Sequence, residues 1–116
     1  GLKKNGLNLL TAPGNDLVAS TALALSGCQM VLFTTGRGTP FGTAVPTVKI
    51  STNSALSAKK NNWIDFNAGS TVENESFQHA LTRLIEKIIS VADGELTHNE
   101  KIGAKEIAIF KTGVTL

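Results

Sequence analysis

Tyrosine is absent from this chain of 116 residues, cysteine and tryptophan occur once each, and phenylalanine occurs five times. With aromatics at 5 per cent, the core must be mainly aliphatic and rich in alanine. Trp63 and Phe66 are too few to form a base-stacking surface and are expected to pack under a helix. The lone Cys28 cannot close an internal disulfide, and its place at a helix exit entering an apolar strand predicts a buried thiol without chemistry. No excess of one charge exists either. The net charge is +2, and the cations are scattered apart from Lys3 with Lys4 and Lys59 with Lys60, so neither nucleic acid nor an acidic membrane is indicated as partner. The most apolar stretch, residues 28–33, is far shorter than the roughly 20 residues a bilayer span requires, and no charged leader precedes a signal-like region; a cytoplasmic location is the default expectation. His79 and His98 lack any partner at metal-ligand spacing, with no HxxxH and no CxxC, and both are expected on the solvated surface.

What is present is an alternation of strand and helix patterns. Residues 7–10 read as a short strand stopped by Thr11, Ala12, Pro13 and Gly14. A helix follows, capped by Asn15 or Asp16, with an apolar side through Val18, Ala22 and Leu25 and with Gly27 at its left-handed end. Residues 28–34 form a nearly continuous apolar strand, which implies that both faces are covered, as in a parallel sheet. After a long loop at 36–46, residues 47–51 alternate, putting Val48 and Ile50 on one side and Lys49 on the other. A short helix at 54–61 with Ser54 as cap and a strand at 63–66 come next. Phe77, Leu81, Leu84, Ile85, Ile88 and Val91 recur at helical steps and predict an amphipathic helix over 75–92 ending at Asp93 and Gly94. Residues 95–105 read as a polar loop and 106–111 as a last strand. The expected fold is a single α/β domain, an open, mostly parallel, Rossmann-like sheet in three layers, whose ligands gather outside the carboxyl ends of the strands.

The segment after the second strand, TTGRGTPFG at 34–42, carries the most chemistry. Gly36 and Gly38 permit tight turns, Thr34, Thr35 and Thr39 supply hydroxyls, and Arg37 presents a planar fork that matches a carboxylate. Gly-Arg-Gly alone is a weak signal. The loop has neither the lysine-hydroxyl ending of a P-loop nor the spacing of a dinucleotide site. Elsewhere, Lys49 within an alternating strand faces either solvent or a site, and exposure is the more ordinary outcome; burial would lower its pKa toward acid or base work. Asn15 and Asp16 either cap their helix or bind hydroxyls at its N-terminus. Asn53 and Asp65 lie near predicted strand ends, in turns or in a site. Glu73, Glu75, Arg83, Glu86 and Lys87 read as solvated, with Arg83 and Glu86 spaced to pair.

The motif TTGRGTPFG, the run from Leu7 to Ser54, the segment WIDFNAG at 63–69 and the close IAIFKTGVTL together resemble the C-terminal region of the altronate and galactarate dehydratases, a family of sugar-acid hydro-lyases. The likeness covers residues 7–116 and is nearer to the altronate branch. It implies a C-terminal domain or fragment, residues 1–116, of a longer enzyme that dehydrates D-altronate to 2-dehydro-3-deoxy-D-gluconate in hexuronate breakdown. It also implies a divalent metal, usually iron (Fe2+), whose ligands lie mostly upstream, and the remaining N-terminal domains as partners. Such a site must stabilise a second negative charge on the substrate carboxylate, which points to the cations Arg37 and Lys49; with Asp65, a polar group beside a strand end suited to a substrate or metal role, they are the catalytic candidates. Asn15, Asp16, Thr34, Thr35, Gly36, Gly38, Thr39 and Asn53 are the binding candidates. Alternatives are a galactarate or sulfolactate lyase of the same family, a noncatalytic anion- or nucleotide-binding module, and a structural domain that forms a homo-oligomer.

Overall fold

The computed structural model describes residues 4–109. Three parallel strands form its sheet in the order β1 (Val31–Thr35), β2 (Thr47–Ser51), β3 (Phe66–Asn67). Their register pairs Phe33 with Lys49 and Ile50 with Phe66. Helix α1 (Asp16–Leu25) precedes β1, α2 (Ser54–Lys59) joins β2 to β3, and α3 (Phe77–Ala92) and α4 (His98–Lys101) follow a 3-10 turn at Gly69–Val72. This is the expected parallel α/β domain.

All five residues of β2 are buried, as befits the middle strand of a sheet covered on both faces. On one face Val48 and Ile50 meet Phe66 and the α3 residues Leu84 and Val91. On the other, the chain returning from β1 to β2 crosses Lys49, with α1 alongside it. Ala22 is buried in α1, but Leu25 points out at 73% exposure, so the buried side of α1 is Ser20, Thr21 and Ala22 and not the expected Val18, Ala22, Leu25 stripe. The Thr21 hydroxyl satisfies itself on the Leu17 carbonyl and accepts the Ala108 N–H.

Several expectations are corrected. Residues 7–10 form no strand: Leu7 and Leu9 are exposed, and the Asn8 amide folds back on the Lys4 and Gly6 carbonyls. With no β-branched residue and no sheet face to bury against, Leu-Asn-Leu-Leu has little to hold it extended. Strand β1 starts three residues later than expected and is covered on one side only, leaving Leu32 and Thr34 exposed, because α3 lies over β2 and β3 and does not reach it. Cys28 is half-buried. The third strand is displaced from 63–66 to Phe66–Asn67, since the chain is still turning at Trp63 and Ile64, whose N–H groups both reach the Lys60 carbonyl. Trp63 lies under the Lys60 ammonium, 4.2 Å from it, while Phe66 does enter the core. Residues 106–109 form a strap and no strand: the Glu106 N–H binds the Gly42 carbonyl and the Ala108 N–H binds Thr21. The rest of that expected strand lies outside the described residues.

Candidate functional site

Lys49 projects from the middle of β2 and is fully buried, which overturns its expected exposure. The cause is the 36–46 connection, which needs no helix and lies directly on this face. The Lys49 ammonium donates to the Thr39 carbonyl and stands 4.6 Å from the Phe41 ring centre and 5.5 Å from that of Phe33. Those two rings meet edge to face at 5.1 Å. Burial pulls the lysine pKa down from 10.5 to about 8, against the opposing pull of Asp65, Glu106 and Asp16. Cation–π contact and one carbonyl replace its water shell.

Above Lys49 a cleft of about 400 Å³ is lined by Asn15, Asp16, Leu17, Thr39, Pro40, Phe41 and Glu106. Asn15 is the N-cap of α1, its side-chain oxygen accepting the N–H groups of Leu17 and Val18, and Asp16 follows in the first turn. The cleft thus joins Asn15, Asp16 and Thr39 with Lys49 beneath them. Asn99 fastens its wall from behind: the Asn99 amide donates to the Phe41 carbonyl at 2.9 Å, while its own carbonyl oxygen is buried without a partner among the described residues.

Asp65 is a buried hub. Its Oδ2 accepts the Lys49 N–H at 2.9 Å, and its Oδ1 accepts the His98 N–H and contacts His98 Nδ1, both at 2.8 Å. Its side chain is wholly enclosed, whereas that of His98 is 37% exposed. The expected solvated His98 is therefore corrected to a ring held from one side. Residues 95–105 are also not a plain loop, since α4 starts at His98 behind a capping box of Thr97 and Glu100. That signal was readable as T-x-x-E, and it places His98 at the first helical position.

The glycine loop is tied to the turn after β2. Gly38 has φ +85° and donates to the Thr35 hydroxyl, and Gly36 offers its carbonyl to the Asn53 amide. Asn53, in place of the expected Ser54, caps α2 by accepting the Leu56 N–H at 2.7 Å. Thr35 and Asn53 thus shape the loop. Arg37 at its tip is exposed, with no hydrogen bond or ion pair among the described residues, and Thr34 is exposed beside it. Neither Arg37 nor Thr34 lines the cleft over Lys49.

A second hollow, about 500 Å³, is lined by Asn67, Ser70, Asn74, Glu75, His79 and Arg83. Arg83 grips both Glu75 oxygens at 2.6 Å and stacks 4.6 Å from the Phe66 ring, so its expected pairing with Glu86 is replaced by a closed link across the turn before α3. That grip, with the Ser70 hydroxyl, lowers the Glu75 pKa from 4.5 to about 2. His79 reaches the same carboxylate and stays on the surface, as expected. Among the described residues no three His, Cys, Asp or Glu side chains stand together to hold a metal ion. The implied iron therefore finds no such donor set among the described residues.

A family profile described as D-galactarate/altronate dehydratase, C-terminal, matches residues 1–115. The chain belongs to this family. It is 60% identical over 116 residues to altronate dehydratase of Bacillus subtilis and 57% identical over 115 residues to that of Escherichia coli, each match covering 99% of the chain. Identity to the galactarate dehydratase (L-threo-forming) of Escherichia coli is 34% over 111 residues, covering 92% of the chain. The chain spans only 23% of the length of either altronate dehydratase and 21% of the galactarate enzyme. No helix among its described residues is long and apolar enough to cross a membrane.

Proposed function

We propose that this domain is the C-terminal part of a hydro-lyase that converts D-altronate to 2-dehydro-3-deoxy-D-gluconate. One observation carries the reading: identity to the altronate dehydratases holds at 57–60% across the chain and falls to 34% against the galactarate enzyme. In this reaction a base removes the proton beside the carboxylate, the C3 hydroxyl departs, and the enol so formed becomes the keto acid. The proton is weakly acidic because its neighbour is already an anion, so a cation on the carboxylate must strengthen as charge builds. Arg37 suits that task, being exposed and unengaged between two glycines. Lys49 has no exposed surface, so it acts by holding Thr39 and the cleft wall. The iron and its ligands belong to the remainder of the polypeptide, in keeping with the domain's 23% share of its relatives' length. That remainder covers the apolar residues Phe77, Leu81, Ile85 and Ile89, which α3 leaves exposed.

The test is dehydration of a panel of sugar acids by the complete polypeptide, with and without added divalent metal. Altronate should be the preferred substrate, and the 116-residue chain alone should turn over little. Arg37→Lys in the complete enzyme should lower kcat/KM at least about tenfold with folding intact, because a point charge cannot replace a bidentate clamp. An unchanged kcat/KM would remove Arg37 from the site.

A further inference from the structure

We propose that His98 is a catalytic proton-transfer residue whose Nε2 faces the substrate, an inference that rests on the dehydratase reading. Asp65 is the reason. Its carboxylate is completely enclosed, already takes the N–H groups of Lys49 and His98, and offers Oδ1 to the imidazole at 2.8 Å. Toward such an acceptor Nδ1 must be the donor, which leaves the lone pair of the neutral ring on Nε2. The ring is held by its inner edge, and its 37% exposure belongs to a side chain whose Nδ1 is already engaged. A surface histidine does not need a buried carboxylate behind it. The cost of enclosing Asp65 is met by three donors, and two of them come from His98 itself.

His98 is not among the residues that line the cleft over Lys49, but two links tie it to that wall. His98 opens α4 behind the Thr97–Glu100 capping box, and the next residue, Asn99, is bonded to the carbonyl of Phe41 in the cleft wall. Asp65 also bonds the backbone of Lys49, so the lysine under the cleft and the imidazole share one anchor. In the reaction, the C2 proton moves to Nε2 and its electron pair forms the C2–C3 double bond. The C3 hydroxyl leaves as water, taking its proton from the imidazolium, so the ring ends neutral and no outside reactant is needed. Asp65 stabilises the transient imidazolium as a positioning residue.

The experiment uses the complete polypeptide with altronate. His98→Asn retains an amide donor for Asp65 Oδ1 but has nothing at the Nε2 position; it should lower kcat about 10²–10⁴-fold, with KM within about threefold and an unchanged unfolding midpoint. The limb of the kcat/KM profile that reports the base should vanish with it. Imidazole added to His98→Ala should restore part of the rate, and Asp65→Asn should lower kcat by about 10–100-fold. An active wild type beside a folded His98→Asn enzyme within threefold of it would overturn this inference alone. A wild type inactive on every sugar acid would overturn the dehydratase reading and this inference together. If His98→Asn does not fold, an imidazole-insensitive but folded His98→Ala enzyme also counts against it.

Discussion

At the scale of single residues, two glycines of the family motifs are there for space. A Cβ on Gly42 would stand 2.1 Å from the Ala104 carbonyl oxygen, and one on Gly69 would stand 2.4 Å from the Ser54 nitrogen. Both obstacles are backbone, which cannot rotate aside. Gly42→Ala should therefore destabilise the domain by about 1–3 kcal/mol, read as a lower urea midpoint. Lys49 offers a second prediction. Its folded pKa of about 8 lies below the ordinary 10.5, so between these values the unfolded chain binds more protons than the folded one. Stability should rise as pH increases from about 8 to 10.5, and Lys49→Met should flatten that rise in denaturation curves taken across the window. The sequence shows a lysine in an alternating strand, but its burial depends on a distant loop laid over it.

At the scale of elements, side chains at the ends decide more than the stripes do. Asn53 caps α2, Ser76 caps α3 and Thr97 caps α4, each through a side-chain oxygen accepting a backbone N–H. Thr97→Ala should cost about 1 kcal/mol in thermal or chemical unfolding. It should also loosen the His98 ring, since that helix start carries it. Helix α3 was legible from its apolar period to within two residues, whereas α4 was not, because its four residues contain no apolar stripe. The face of α3 was harder still. Leu84 and Val91 turn to the sheet and Ala80 is buried, while Phe77, Leu81 and Ile85 of the expected apolar stripe stay exposed. Period reports a stripe and its width, and only the neighbour's position reports which half is covered.

At the scale of the whole molecule, that uncovered ridge, continued by Ile89, is wide for a surface and fits a domain that makes up 23% of its relatives' length. Amide hydrogen exchange along α3 should be slower in the complete polypeptide than in the 116-residue chain. Equal rates, with the short chain sedimenting as a dimer, would assign the ridge to a second copy. Acid sensitivity is a further property of the whole. Glu75 bonded to Arg83 has a folded pKa of about 2 against an ordinary 4.5, so its contribution is present above 4.5 and is lost as pH falls toward 2. Glu75→Gln should remove that part of the acid-side slope in unfolding curves.

The amino-acid order alone determined the parallel α/β class, the α1, β2 and α3 segments and the family, because apolar period, turn residues and motif order are local properties. It could not decide that Asp65 faces His98 across 33 positions, that Lys49 lies under Thr39, or that Arg37 stands outside the cleft. Those relations arise only when segments far apart in the sequence pack together. Their energies come from excluding water, which no short stretch of chain does by itself.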